Sequence, residues 1–406
     1  MPIRVGVFPA DQGGCGHYRL IWPWREVARQ FGDEIEVLWV DEMQEKTLIE
    51  WAGGPWGDGE PTQYHVPQRI LDMPAIDVAV FQRPLHSKLT HYFRLLQERG
   101  IIVVVDIDDN FDRISPQNVA WYSVEPHWMQ HDEVQKIARI FGNVTVTKRT
   151  TIGEWHYVPA HEGATHRRNI KNALRHTDLL ITSTPALARH YGEYARNTIV
   201  IDNYVSKEWC DYSHPHNVVP IVGWTGSVAT HPNDLQQLRA SVTQVRKSED
   251  VPTFMWKVVG TGKGVAVRMG EEPDATTDWV DLTSGEYMRQ YATFDIALCP
   301  LEDSAFNHAK SWLKGIEAAA VGVVPIMSPL SEYRRLNADG VGLLAKRPRD
   351  WERHLRTLLT NQTMREDLAA HGREVVRQKY TMEDNAYRWA EALLHTVKTR
   401  AAAHAS

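Results

Sequence analysis

The chain has 406 residues, 43% of them hydrophobic and 24% charged, with a formal net charge of −6. That length exceeds one ordinary core, so two domains are expected, and the acidic balance excludes a whole-surface affinity for nucleic acid while leaving room for a local basic patch. No run approaches the ~18 apolar residues that span a bilayer, Met1–Phe8 reads as a first strand and not as a signal peptide, and three scattered cysteines (Cys15, Cys210, Cys299) fit a reducing cytoplasm better than a disulfide framework or a zinc site.

Short β-rich runs alternate with helical stretches, the signature of α/β layering. In the first half strands are expected at Ile3–Phe8, Ile35–Val40, Val78–Phe81, Ile101–Asp106, Leu179–Thr182 and Thr198–Ile201, with helices at Tyr18–Phe31, Leu89–Arg99 and Pro185–Tyr194. The first strand runs into Asp11-Gln-Gly-Gly-Cys-Gly-His-Tyr-Arg. Gly13, Gly14 and Gly16 permit a tight turn and close approach of a ligand to backbone N–H groups, and the following helix N-terminus favours negative charge. The loop departs from the dinucleotide fingerprint G-x-G-x-x-G, and Asp41 after the second strand is weak support for such a site. His17, Tyr18 and Arg19 crowd polar groups beside the glycines, which favours a functional loop over a purely structural turn.

The fourth strand ends in Asp106-Ile-Asp-Asp109. Clustered carboxylates suit a hard cation, but Asp108 or Asp109 facing an acceptor hydroxyl, as base or orienter, is the preferred reading. The segment 112–175 is longer than a normal crossover and is expected to be an insertion with its own helices and a hairpin. It holds Lys148, Arg149, Arg167, Arg168, Lys171 and Arg175, interleaved with Trp155, His156 and Tyr157. Positive charge tracks phosphates and aromatics stack on extruded bases. A solvated basic helix beside packed aromatics is the alternative, and packing is the commoner use of the chain's fifteen tryptophans.

A Pro/His-rich stretch, Tyr212–Pro220, is the expected linker. Strands resume at Ile221–Trp224, Phe254–Val259, Trp279–Leu282, Ile296–Cys299 and Val324–Met327. After the first of these, Gly226 and Ser227 can offer donors to a phosphate, and Asn233 and Asp234 read as helix-start residues. Gly260-Thr-Gly-Lys-Gly lacks the full phosphate-loop pattern and reads as a strand-end turn near a nucleotide base. The run from Cys299 to Ile326 carries the strongest signal. Lys310, Lys314 and Glu317 would share one face of a helix beginning near Ala309, with Lys310 and Ser311 at its anion-favouring end. Glu317, about 9 Å further along, would suit a ribose beside a diphosphate. The last helix, near Met382–Lys398, has Ala386, Trp389, Ala390, Leu393, Leu394 and Val397 at helical spacing, and the Ala-rich end should fray.

Phe306-Asn-x-Ala-Lys-Ser-x-Leu-Lys-x-x-Glu, followed by Ala-x-Gly-x-x-Pro, resembles the donor motif of retaining GT-B glycosyltransferases. The resemblance is to the bacteriophage and bacterial branch that also carries Gly-Cys-Gly-x-Tyr-Arg, Asp-Ile-Asp-Asp and Gly-Trp-x-Gly-Ser, all present here in that order. It implies an α/β chain of two Rossmann-like domains facing across a cleft: an acceptor domain at 1–215, a donor domain at 216–380, and a crossover helix with tail at 381–406 that returns to the first. It implies a nucleotide-sugar donor, no metal, and transfer with retention. Glu317 would bind the ribose, and Lys310 and Ser311 the diphosphate opposite Gly226 and Ser227. Gly14, Gly16, Gly260 and Lys314 complete the expected donor set, and His17, Asp108, Asp109 and Lys310 the catalytic one. The family's acidic residue eight positions before the ribose glutamate is Ala309 here, and its Arg and Lys after the first strand of the donor domain are replaced by Trp224 and the Ser227–His231 stretch. Neutralising the departing diphosphate therefore falls to Lys310, with His231 as helper.

For the acceptor, Tyr18, Arg19, Lys148, Arg149, Trp155, Tyr157, Arg167, Arg168 and Lys171 suit a hydroxymethylated base in phage DNA, which would place the enzyme in the host cytoplasm. A virion-protein Ser/Thr hydroxyl or a surface glycan is the runner-up acceptor. A non-catalytic sugar-nucleotide-binding module is the competing class.

Overall fold

The computed structural model describes residues 1–10, 13–39, 76–85, 87–115, 118, 127–130, 146–150, 153–158, 163–215, 217–228, 230–231, 233–238, 240–261, 265–277 and 282–405. It comprises two compact units, Met1–Ile201 with Ala386–Ser406, and Asp202–Asn385.

The first unit is built on a six-stranded sheet in the order β2-β1-β3-β4-β8-β9. Its strands are β1 Ile3–Phe8, β2 Ile35–Trp39, β3 Val78–Gln82, β4 Ile102–Ile107, β8 Leu179–Thr182 and β9 Thr198–Val200, and every pairing is parallel. Strands β3 and β4 are buried along their whole length, which is why they read as continuous Val-rich runs without alternation. The order reverses between β1 and β3, so the chain leaves these neighbours in opposite directions. A crevice at their carboxyl ends is where open α/β sheets bind ligands.

Within 112–175 the expected hairpin exists as β6 Val146–Thr150 and β7 Gly153–Val158, joined by β5 His127–Gln130 in an antiparallel sheet of order β5-β7-β6. The helix Gly163–Leu174 follows.

The second unit repeats the plan with strand order β12-β11-β10-β13-β14-β15. These are β10 Ile221–Ser227, β11 Met255–Thr261, β12 Ala275–Thr277, β13 Ile296–Cys299, β14 Val324–Met327 and β15 Leu343–Leu344. The reversal lies between β10 and β13. The strand expected at Trp279–Leu282 is instead β12. Asp274 caps it by accepting from the Trp256 amide at 2.8 Å, which sets the register Lys257↔Ala275. Of the expected span, Leu282 is the part inside the described residues, and it lies in a turn. The two-residue β15 was missed because so short a run carries no periodicity.

Trp224, Trp256, Val258, Ile296, Leu298, Val324 and Ile326 form this unit's core with Trp351, Leu355 and Leu358 of the helix Pro348–Thr360. Each large apolar side chain so buried contributes about 1.5–3 kcal/mol. These tryptophans therefore pack rather than present stacking faces.

The chain divides at Ile201/Asp202, ahead of the expected linker Tyr212–Pro220. The segment after Ile201 is pinned to the second unit: Val205 bridges Thr381, and the Trp312 indole donates to the Asn203 carbonyl at 2.9 Å. The last helix, Tyr387–Ala405, belongs to the first unit and packs on the helix Trp22–Phe31. Its Ala-rich end is helical and not frayed, as the high helix propensity of alanine allows.

At the centre of the first unit Arg19 meets Asp106 in a two-pronged ion pair, both bonds 2.9 Å, with each side chain 1% exposed. A third Arg19 bond reaches the Ile201 carbonyl at 2.8 Å, and Trp389 lies 5.8 Å from the guanidinium. Burial pushes Asp106 up to about 6 while Arg19 pulls it down, so the pair is ionised at neutral pH. Asp106→Ala strands a buried guanidinium and should cost about 3–5 kcal/mol. Denaturant unfolding should show the loss, and an unchanged midpoint would contradict the assignment.

Candidate functional site

In the second unit, β10 and β11 run side by side to their carboxyl ends, with Gly226 paired to Gly260. Gly226 has φ +141° and Gly260 φ +114°. A Cβ on Gly260 would stand 2.2 Å from the Gly226 carbonyl oxygen, so this approach of two backbones is open to glycine alone. The Lys314 ammonium lies 3.0 Å from where a Gly226 Cβ would be, and 5.2 Å from the Trp224 ring. Among the described residues Lys314 Nζ has no hydrogen-bond acceptor. Burial lowers its pKa, against the pull of Asp234, Cys299 and Glu317. An ammonium half-buried on an indole face, beside a bare glycine backbone, can hold an anion.

The donor run folds differently from the expected continuous helix. Asn307–Ala309 form a 3-10 turn, Lys310 is extended at φ −70°, ψ 146°, and the helix begins at Leu313. Lys310 therefore does not share a helical face with Lys314 and Glu317. The reason is tertiary: Trp312 is held by Asn203, and Ser311 Oγ accepts from Asn203 Nδ2 at 2.8 Å, which fixes the turn before the helix. Lys310 Nζ lies 4.5 Å from the Phe306 ring centroid.

Glu317 is 3% exposed on the helix Leu313–Ala320. Its Oε2 accepts from the Tyr287 hydroxyl at 3.2 Å, and that hydroxyl lies equally 3.2 Å from Thr225 Oγ1. Burial holds Tyr287 well above its ordinary pKa, so it remains a donor. Sequence reasoning missed Tyr287, which lies in the helix Glu286–Tyr291 and carries no motif of its own.

Asn233 and Asp234 start a helix as expected, with Asn233 at the N-cap of the 3-10 helix Asp234–Gln237, and the Asp234 carboxylate binds beyond it. Oδ2 accepts from His231 Nδ1 at 2.7 Å, and Oδ1 accepts from the Glu302 amide and from Asn307 Nδ2, both at 2.8 Å. Burial alone would raise its pKa, yet these bonds hold it below the ordinary carboxylate range. His231 moves the opposite way from a helper cation. Burial, with Lys314 and Lys310 nearby, pushes its imidazole down to about 4. It is neutral at physiological pH, so it brings no positive charge of its own to this site.

The remaining expected residues lie in the first unit. Gly14 and Gly16 form one short turn, followed by a π-type turn His17–Ile21. Gln82, not foreseen from sequence, clamps this loop: its Oε1 accepts from the Ala10 amide and its Nε2 donates to the Cys15 carbonyl, both at 3.1 Å. His17 donates Nδ1–H to the Gly13 carbonyl at 2.9 Å. Tyr18 and Arg19 are 3% and 1% exposed, and Arg19's donors are spent on Asp106 and Ile201. Asp108 is held by Arg83 in two bonds of 2.7 Å, and Arg83 carries φ +49°, rare outside glycine and a mark of functional or strained backbone. Asp109 is half-buried. Asp106 and Asp108 of the acidic cluster thus answer guanidinium groups.

In the basic insertion, Arg167 Nε donates to the Phe111 carbonyl at 3.0 Å, and Lys171 pairs with Asp112 at 2.7 Å. These two are engaged inside the unit instead of forming a bare phosphate track, while Arg168 is exposed. Lys148 and Arg149 lie on β6, and Trp155 and Tyr157 on β7, with Lys148 in register with Trp155. Their side chains fall outside the described residues.

The depressed His231 value has a definite sign. Between pH 6.5 and about 4 an unfolded chain takes up a proton that the folded imidazole refuses, so stability declines as pH falls through that window. The loss should reach at most about 3 kcal/mol. Asp234 contributes separately, below the ordinary carboxylate range. His231→Gln should flatten the melting-temperature profile between pH 6.5 and 4, and identical slopes for the two proteins would refute the buried neutral imidazole.

Residues 241–391 match a family model described as Glycosyl transferase-like. No curated protein matches the chain. Among solved structures it is similar to HepE from Anabaena in complex with UDP, at 13% identity over 97% of this chain and 100% of that one, TM-score 0.57. It is similar to sucrose-phosphate synthase from Thermosynechococcus elongatus, at 12% identity over 98% and 99%, TM-score 0.60. It is also similar to an O-GlcNAc transferase mutant from Thermobaculum terrenum, at 12% identity over 98% and 68%, TM-score 0.55. Among the described residues no helix is long and apolar enough to cross a membrane. The two six-stranded parallel sheets with flanking helices are the α/β fold of GT-B glycosyltransferases, and residues 241–391 match the Glycosyl transferase-like family model.

Proposed function

We propose that the protein transfers a sugar from a nucleotide-sugar donor to a hydroxyl acceptor, with retention of anomeric configuration. The carrying observation is the half-buried Lys314 ammonium beside the Gly226 backbone, at the carboxyl ends of β10 and β11. An ammonium without an acceptor among the described residues calls for an anion. The buried carboxylate of Glu317, oriented by Tyr287, calls for hydroxyl donors. A nucleoside diphosphate supplies both groups on one molecule. HepE has been captured with UDP and with UDP-glucose, which supports the same donor class here.

In this reading Glu317 accepts from the ribose hydroxyls, Ser311 and the Gly226–Ser227 backbone face the diphosphate, and Lys314 and Lys310 stabilise charge on the leaving group. Transition-state charge grows on the diphosphate as the glycosidic bond breaks, so a fixed cation accelerates bond breaking more than it tightens ground-state binding. Asp108 and Asp109 are the candidates to orient the acceptor. Asp108 is engaged by Arg83, and Asp109 beside it is half-buried. Retention rests on the resemblance to the retaining branch.

The acceptor we favour is a 5-hydroxymethyl pyrimidine in DNA, approached by the basic and aromatic residues of the insertion. A specific observation supports a second reading, a protein Ser/Thr hydroxyl or a glycan. Arg167 and Lys171 are already engaged, which leaves a smaller charge for a phosphate backbone.

Glu317→Ala should weaken donor binding about ten- to a hundred-fold, the value of about 1.5–3 kcal/mol for bonds to a charged acceptor. Lys310→Ala should slow turnover more than it weakens donor binding, whereas a rise in KM with intact kcat would show uniform binding instead. Mass spectrometry after incubation with nucleotide sugars and hydroxymethylated DNA should show one added sugar, and NMR of fresh product the donor's own anomeric configuration. Absence of salt-dependent DNA binding at low ionic strength would remove DNA as the acceptor, and an inverted anomer would remove retention.

A further inference from the structure

The loops after β10 and β13 leave the sheet on either side of its order reversal, and Asp234 joins them. Asp234 receives His231 from its own loop, and the Glu302 amide and Asn307 from the other. Asn307 Nδ2 also donates to the Glu302 carbonyl at 3.1 Å, and Asn233 Nδ2 to Glu302 Oε1 at 3.3 Å. With its carboxylate in so many bonds Asp234 is ionised, so the His231 nitrogen facing it, Nδ1, carries the proton. The other nitrogen, Nε2, then holds a lone pair. It has no hydrogen-bond partner among the described residues, and the side chain remains 17% exposed.

A ligand group that meets Nε2 must donate. A diphosphate at neutral pH offers only acceptor oxygens, and two acceptors face to face repel. Burial, with Lys314 and Lys310 nearby, disfavours the protonated imidazole that a phosphate would favour. On the donor reading above, on which this inference rests, the ribose hydroxyls belong to Glu317. The hydroxyls left over are those of the sugar being transferred. We propose that His231 is a specificity-determining residue that accepts, through Nε2, a hydrogen bond from a hydroxyl of the donor's sugar, and that Asp234 is the positioning residue that fixes its tautomer.

Calorimetric titration with paired probes tests this: UDP against UDP-glucose, GDP against GDP-mannose, and ADP against ADP-glucose, using the pair that the wild-type protein binds. His231→Leu should weaken the sugar nucleotide about ten-fold and the bare diphosphate by less than about two-fold. His231→Gln, whose amide oxygen reaches the Nε2 position, should recover most of the loss, and this rescue separates a lost hydrogen bond from a collapsed loop. Equal weakening of both probes, no weakening of either, or a Gln variant as poor as Leu would overturn the inference. Glu317→Ala serves as the separate control. If it weakens both probes while the His231 variants fail to discriminate, the donor site stands and the role of His231 falls. If the wild-type protein binds none of the nucleotides, both readings fall.

Discussion

At the order reversal of the second sheet, one buried carboxylate accepts hydrogen bonds from two loops that the topology sends in opposite directions. Asp234 is 3% exposed and carries three short bonds. Removing it would leave an amide, a carboxamide and an imidazole without their acceptor in a dry region, each unmet group costing about 1–3 kcal/mol. The positions of Lys314, Glu317 and the Gly226 backbone matter only if the loop ends around them hold still. Asp234 supplies that restraint, while the glycine pair at 226 and 260 lets the backbones close up beneath it.

The first unit solves the same problem with different chemistry. Its order reversal lies between β1 and β3, and Gln82 at the end of β3 ties down both ends of the glycine loop that follows β1. Two guanidinium–carboxylate pairs, Arg19–Asp106 and Arg83–Asp108, occupy the neighbouring strand ends. The first is wholly buried and structural. The second is partly exposed and sits on a residue with left-handed backbone, a costly conformation that persists only where its surroundings enforce it.

The fold was legible because parallel strands covered on both faces must be apolar throughout. Val78–Gln82, Ile102–Ile107 and Val324–Met327 announce themselves in that way. Where a strand is short or polar, as at Ala275–Thr277 and Leu343–Leu344, hydrophobic pattern is silent and tertiary pairing decides. The donor run showed the same limit. Lys314 and Glu317 do share one helix, but helical spacing could not reveal that Asn203, more than a hundred positions earlier, would hold Ser311 and Trp312 and keep Lys310 out of it. Arg19 misled for a related reason: beside glycines in a loop an arginine reads as a binding group, and only the long-range carboxylate of Asp106 shows it to be internal. Gln82, Tyr287 and the hub role of Asp234 had no motif to give them away, although the His-x-x-Asp spacing of His231 and Asp234 is a local signal that a reading by capping alone passes over.

The central claim is that a nucleotide sugar binds at the carboxyl ends of β10, β11 and β13. A crystal structure of the protein soaked with a nucleoside diphosphate sugar tests it most directly. The account predicts ribose hydroxyls on the Glu317 carboxylate, and diphosphate oxygens against the Gly226–Ser227 backbone within reach of Lys314 Nζ. A nucleotide held instead on the Gly13–Gly16 loop of the first unit, with Glu317 and Lys314 untouched, would contradict it.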